Sequence, residues 1–251
     1  MQEKYTPGYS KDTVSFMSNR RLETHGTFLL PFLKSEMTIL DCGCGPGVLT
    51  CDIAERIPNG RVLGIDLENP QIKIAEAEAQ KRQLENITFQ QANVYDLENI
   101  NETFDAVFSH ALLEHLKEPS KAIKQFHRVL KPGGILAVCS PDWAGFLLSP
   151  SSNELNQAIE AYKDIQIKNG GDVFVGSKLS RFFENSGFDQ IEVDARYEVY
   201  KSLKFIGQYL ALQLEKAGEK THTQSLKNWM NEPNGLFAQA WISCVGRKTS
   251  K

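Results

Sequence analysis

MTILDCGCGPGVL, residues 37–49, joins a short apolar strand, an acidic residue, a glycine-rich turn and the start of a helix. Thr38 to Leu40 is too short and too β-branched for a helix, and Asp41 closes it where a parallel strand delivers its carboxyl end. Gly43, Gly45 and Gly47 follow at once. Without Cβ atoms they let the main chain turn sharply and let a ligand lie directly against it. Leu49, Ile53 and Ile57 then recur at helical spacing, and Pro58-Asn59-Gly60 stops the helix.

Outward from this unit, strand and helix alternate. Arg61 to Asp66 reads as a second strand, and the spacing predicts a helix capped by Asn69 with Pro70 at its first position and Glu78 four residues before Arg82. Ile87 to Gln91 and Phe104 to Ser109 read as the third and fourth strands. A helix from Ser120 carries Ile123, Phe126 and Leu130 on one face, Lys131-Pro132-Gly133-Gly134 ends it, and Ile135 to Cys139 is the fifth strand. Ile191 to Val193 and Ala238 to Val245 supply two more. Such alternation implies an α/β, doubly wound, mainly parallel seven-stranded sheet with right-handed crossovers. Residues 1–34 are expected to form an N-terminal helical cap. Residues 35–251 form the core, with helical lid insertions at about 142–170 and 198–234, and insertions on a rigid sheet are where substrate choice usually sits.

The glycine loop alone is compatible with several nucleotides. A dinucleotide loop has the spacing GxGxxG, with pyrophosphate on the helix N-terminus, and its third glycine would fall at Val48. No GK[ST] follows, so a Walker loop is excluded. Asp66, at the end of the second strand, can accept both hydroxyls of a ribose, which suits NAD and S-adenosylmethionine equally. ILDCGCGPG resembles the first motif, LDxGCGxG, of the class I S-adenosylmethionine-dependent methyltransferases. FDAVFSH with LLEHL (104–110 and 112–116) and LKPGG (130–134) resemble later segments of that family, and together the segments span roughly residues 28–140.

The resemblance implies a Rossmann-like methyltransferase fold and S-adenosylmethionine as cofactor, with S-adenosylhomocysteine as product. It places the cofactor against Asp41, Gly43, Cys44, Gly45, Gly47, Asp66, Leu67, Asn93, Val94, Ser109 and His110. In it, Asp41 holds the amino group of the methionine end or supports the loop, and Asn93 stands where the family usually has Asp reading adenine; its amide oxygen can still accept from the adenine amino group. Methyl transfer from a sulfonium is an in-line displacement that alignment alone can accelerate. Where the acceptor carries a proton, a base helps. His110 is the first choice, with Tyr9, His25 and Asp142 as further lining groups. Tyr5 and Tyr9 suggest an N-terminal flap; Trp143 and Phe146 an opposing apolar wall.

Composition narrows the partner. The 251 residues are 41% hydrophobic and 24% charged with a formal net charge of −3, which argues against a broad phosphate-binding face. No window approaches the ~20 apolar residues of a membrane span. The N-terminal MQEKYTPGYSKDT lacks the apolar core of a secretory signal, and five cysteines form no disulfide framework, so a cytoplasmic protein is expected. Cys42, Cys44 and Cys51 lack a fourth partner for a structural metal, and no metal is expected. The [DNS]PP[YFW] signature of base-amino methylation is replaced by SHALLEH, so no nucleic acid is expected. The expected acceptor is a small, partly apolar molecule methylated on O, N or C. A non-catalytic S-adenosylmethionine-binding protein, an RNA or protein methyltransferase and a nicotinamide oxidoreductase are the competing classes.

Overall fold

Strand β1 (Thr38–Cys42) is the central element, because its neighbours on either side run in opposite chain order. The computed structural model describes residues 5–8, 11–200 and 202–249, with residues 11–13 and 16 described by backbone alone. Beside β1 lie β2 (Arg61–Asp66) and β3 (Ile87–Gln91) on one side. On the other lie β4 (Phe104–His110), β5 (Leu130–Ser149), β6 (Phe188–Val199) and β7 (Leu236–Lys248). The sheet order is β3-β2-β1-β4-β5-β7-β6, parallel except for β7, which runs antiparallel between β5 and β6. This is the doubly wound sheet the alternation predicts. The order reverses between β1 and β4, and in open α/β sheets the crevice beyond the strand ends at that point receives the ligand.

Side chains of successive strand residues point to opposite faces, and both faces here are covered. Ile39, Ala106, Phe108 and Ile135 pack with Ile53 and Ile57 of α3 (Val48–Arg56) on one face. Leu40, Val107, Leu136 and Val138 pack with Ile123 and Phe126 of α5 (Pro119–Val129) on the other. Between β2 and β3 runs α4 (Asn69–Lys81). Its N-cap is Glu68, so Asn69 and Pro70 stand one position further into the helix than expected. Of the N-terminal region, α1 (Lys11–Ser18) reaches over the strand ends, whereas Leu22 of α2 (Leu22–His25) and Leu29 are fully buried against Ile39 and Ile53. Residues 22–33 therefore belong to the core layer rather than to a separable cap.

A second apolar cluster lies beyond the sheet's carboxyl edge. There α6 (Asn153–Lys168), α8 (Leu203–Lys216) and α9 (Lys220–Trp229) bury Ile159, Leu210, Leu226 and Trp229 against Trp143 and Phe237. The first insertion begins later than its expected start near 142: β5 runs on to Ser149, pairing Phe146–Ser149 with Leu236–Gln239 after a register shift at Asp142. β5 also begins at Leu130 rather than Ile135, because Leu130 already pairs with Phe104. Short α7 (Leu179–Glu184) packs under β6 and β7. Among the described residues, no helix is long and apolar enough to cross a membrane.

Candidate active site

The turn after β1 is built from the backbone. Gly43 and Gly45 have φ of +77° and +52°, and the Gly43 and Cys44 amides both donate to the Ile65 carbonyl, at 2.8 and 2.9 Å. The Gly45 amide donates to Asp66 Oδ2 at 2.9 Å, while Asp66 Oδ1 accepts from the Glu68 amide at 3.0 Å. A carboxylate offers about four lone-pair sites, so Asp66 fixes the loop and keeps acceptor capacity for the cleft. Burial raises its pKa, opposed by those amide donors. Asp41 also lines the cleft; its Oδ2 accepts from Thr50 Oγ1 at 2.6 Å. Burial pushes Asp41 up to about 7, with the Thr50 hydrogen bond opposing and the Asp66 charge adding to the rise.

The cleft has a volume of about 500 Å³ and lies over the ends of β1, β2 and β4. It gathers most of the expected contacts: Asp41, Gly43, Cys44, Gly45, Asp66, Leu67, Asn93, Val94 and His110 all line it. A side chain at Gly45 would point into this space, meeting only Met17 Sδ at 3.7 Å, as a backbone cradle for a ligand requires. Asn93 spends one lone pair on the Tyr95 amide, at 3.0 Å, and retains the other. Met17, Arg20, Gln71 and Tyr95 line the cleft too, without any motif to announce them.

Four expected positions do other work. Ser109 is fully buried and donates to the Cys42 carbonyl at 3.0 Å, tying β4 to β1; strand alternation turns His110 to the cleft and Ser109 away. Gly47 caps α3 with φ +75°, and a Cβ there would meet Ala75 Cβ at 2.5 Å, so its role is packing. Asp142 accepts from the amides of Ala144, at 2.8 Å, and Ser177, at 2.7 Å, which makes it a brace at the β5 register shift rather than a lining group. His25 lies behind the cleft, its Nε2 3.4 Å from Glu198 Oε1 and its ring edge-on to His110. Tyr9 lies outside the described residues.

His110 is poorly suited to be a base. Its ring stacks on Trp241 at 4.9 Å, neither nitrogen has a hydrogen-bond partner among the described residues, and burial pushes its pKa well below the usual value. Burial likewise lowers His115 to about 3, with the Arg20 charge helping.

A smaller chamber of about 60 Å³ adjoins the cleft through shared walls at Tyr5, Met17, Arg20, Ala111 and His115. Tyr162 of α6 and Tyr209 of α8 close it from the lid side, and Trp143, Tyr200, Gln239 and Trp241 from the sheet side. Trp143 is thus the expected apolar wall, with Phe146 behind it at 6.1 Å between ring centroids. Glu114, in the turn after β4, also lines this chamber.

The comparisons agree with this geometry. Residues 33–204 match the methyltransferase domain family. "Probable methyltransferase ltbC" of Aspergillus luteorubrus is 38% identical over 142 residues, covering 53% of this chain and 50% of that protein. Trans-aconitate 2-methyltransferase of Deinococcus radiodurans is 29% identical over 167 residues, 64% of this chain and 61% of that one. The chain spans about half the length of the first curated relatives it matches. Among solved structures, the YcgJ protein of Bacillus subtilis superposes with a TM-score of 0.69 at 15% identity, over 91% of this chain and 99% of that one. A family match over residues 33–204 takes in the glycine loop and all six parallel strands, β1 to β6, and the chain belongs to the methyltransferase domain family of class I S-adenosylmethionine-dependent enzymes.

Proposed function

We propose that this protein is a cytoplasmic enzyme that transfers a methyl group from S-adenosylmethionine to a small, partly apolar acceptor. One observation carries it: a 500 Å³ cleft with two acidic residues at strand ends opens onto a second, aromatic-walled chamber closed by the inserted helices. The residues fit the cofactor. Asp66 keeps acceptor capacity for the ribose hydroxyls, Asp41 offers a carboxylate to the ammonium of the methionine end, and Gly45 leaves main chain open between them. When bound, S-adenosylmethionine supplies an electrophilic methyl group. Confinement of the acceptor within reach of it replaces a bimolecular encounter and can supply several kcal/mol of the barrier reduction. Tyr5 and the lid tyrosines keep water from that meeting point.

Thermal unfolding tests the cofactor. S-adenosylhomocysteine at ~100 times its Kd should stabilise the protein by about 2.7 kcal/mol, while NAD at the same concentration leaves the midpoint unchanged. Stabilisation by NAD alone overturns the assignment. Incubation with methyl-labelled S-adenosylmethionine and a metabolite extract should then yield labelled small molecules; absence of any labelled product favours a binding protein without catalysis.

Affinity should also depend on pH through Asp41. Its raised pKa means that the free protein holds this carboxyl protonated below about 7. The ligand ammonium pairs with the ionised form, so S-adenosylhomocysteine should bind most tightly above pH 7 and weaken by up to about tenfold per pH unit below it. Calorimetry across pH 5.5–8.5 checks this. Asp41→Asn should bind weakly with a flattened profile, and a full profile in that variant removes Asp41 from the ammonium site.

A further inference from the structure

Glu114 is an acidic side chain in a place that normally excludes one. It is buried, lines the small chamber, and its Oε2 has no hydrogen-bond partner among the described residues. A buried carboxylate so left is costly unless something it binds returns the interaction. Its backbone, by contrast, is held firmly. The Glu114 carbonyl accepts from Gln166 Nε2 at 3.0 Å and from the Asp172 amide at 2.9 Å, and Gly171 packs against it so closely that a Cβ would lie 2.4 Å away. The end of α6 and the segment that follows it therefore clamp the residue, which lines the chamber. Gln239, also in the chamber wall, has a buried Nε2 without a hydrogen-bond partner among the described residues. An acceptor that donates a proton to Glu114 and offers an oxygen to Gln239 would satisfy both.

The surroundings select the kind of proton donor. Arg20 lines both cavities, with its guanidinium 5.6 Å from the Trp241 ring centroid, and its charge acts on Glu114, His115, Tyr200 and Tyr209 alike. A cationic amine would meet that charge unfavourably; an oxygen that grows negative as its proton leaves would be stabilised by it. The walls are flat aromatic rings, suited to a planar partner. The reacting hydroxyl stands where the two cavities share walls, at Tyr5, Arg20 and His115, with the methyl group on one side and Glu114 on the other, and the ring reaches along the aromatic walls of the chamber.

We propose that Glu114 is the general base for O-methylation of a phenolic or enolic hydroxyl seated in this chamber. Glu114 Oε2 accepts the hydroxyl proton as the acceptor oxygen bonds to the methyl carbon, and the electron pair of the broken carbon–sulfur bond stays on sulfur. The products are a methyl ether, protonated Glu114 and S-adenosylhomocysteine. Burial holds Glu114 at about 7, with the Arg20 charge and the Ser140 hydroxyl acting in the opposite direction. The other ionisable groups around the chamber include Arg20 and Tyr5, His115, kept neutral with Nε2 at 3.6 Å from Oε1, and Tyr162, Tyr200, Tyr209 and Cys139, these last four shifted by burial so that they stay protonated near neutrality. Glu114 is thus a group in the chamber that can exchange a proton at neutral pH.

This assignment rests on the methyl-transfer function proposed above, and one set of measurements separates the two. S-adenosylhomocysteine binding is measured by calorimetry for the wild type, Glu114→Gln and Glu114→Asp. Methyl transfer from labelled S-adenosylmethionine is then followed to phenol, 4-nitrophenol, 1,3-cyclohexanedione and benzylamine. With S-adenosylmethionine held saturating at every pH, so that Asp41 does not contribute, the wild type should methylate the oxygen probes in preference to benzylamine, with kcat/KM for the acceptor falling about tenfold per pH unit below about 7. E114Q should bind S-adenosylhomocysteine as the wild type does but lose about 100-fold or more in kcat on phenol, with a smaller loss on the more acidic 4-nitrophenol and no acid limb. E114D should be slower than wild type yet keep that limb. Infrared difference spectra of the S-adenosylhomocysteine complex should show a protonated carboxyl band that titrates near pH 7 and is missing in E114Q. Transfer to benzylamine alone, transfer to none of the oxygen probes, or an E114Q kcat within about threefold of wild type overturns the proposal. Failure of the wild type to bind S-adenosylhomocysteine would instead bring down the methyl-transfer function, and this base with it.

Discussion

Asp66→Ala should raise the Kd for S-adenosylhomocysteine by about 100-fold or more in isothermal titration, because two kinds of interaction end together. The carboxylate organises the loop before any ligand arrives, accepting from the Gly45 amide at 2.9 Å and the Glu68 amide at 3.0 Å. Its remaining lone pairs are the ones that face the cleft. Hydrogen bonds to a charged acceptor contribute about 1.5–3 kcal/mol each, and loss of two toward a ribose gives at least 3 kcal/mol, or roughly two orders of magnitude in affinity. The loop's own loss adds to that, since an untethered Gly45 must be ordered when the ligand binds. Asp66→Asn should fall between the two, keeping one acceptor oxygen. An Asp66→Ala protein that melts normally and binds S-adenosylhomocysteine unchanged would show that the ribose lies elsewhere.

The parts of this site that sequence made legible are those built by one βα unit. The loop and Asp66 are near neighbours in the chain, and the strand-to-helix connection brings them together whatever the rest of the fold does. Strand-end position, by itself, was less discriminating. Ser109 and His110 both close β4, but alternation sends one to the Cys42 carbonyl and the other to the cleft, and a motif match does not fix that parity. Asp142 lies past Cys139, the expected end of the fifth strand, near the expected start of the first insertion; β5 instead continues to Ser149, and the carboxylate is a brace at the irregularity. The small chamber had no local signature at all. Glu114 stands in the LLEHL segment, where the resemblance gives it no role; Tyr162, Tyr209 and Trp241 reach the same chamber from three separate later segments. Arg20 illustrates the same limit: it follows α1 as an ordinary surface residue does, and its reach over Trp241 depends on β7.

Gly47→Ala should destabilise the protein by about 3 kcal/mol and lower its melting midpoint by several degrees, with loss of cofactor binding only as a consequence of unfolding. Gly47 has φ +75°, a conformation that costs an L-residue about 1–2 kcal/mol, and its missing side chain is where α3 and α4 meet. A Cβ would lie 2.5 Å from Ala75 Cβ, 2.9 Å from Ala75 Cα and 3.1 Å from Phe89 Cζ. The backbone of α4 is one of those obstacles, so a rotamer change cannot relieve the contact; the helices must separate, and overpacking of this kind costs about 1–3 kcal/mol more. Gly45 makes the contrast. Its Cβ would point into the open cleft, so Gly45→Ala adds no packing clash, although φ +52° adds strain there also. That variant should melt closer to wild type while binding S-adenosylhomocysteine more weakly, because the methyl group occupies ligand space. Chemical denaturation and calorimetry on the two variants read stability and affinity separately. If Gly47→Ala keeps wild-type stability and loses only affinity, then Gly47 belongs to the ligand cradle and the close approach of α3 to α4 is not what demands a glycine.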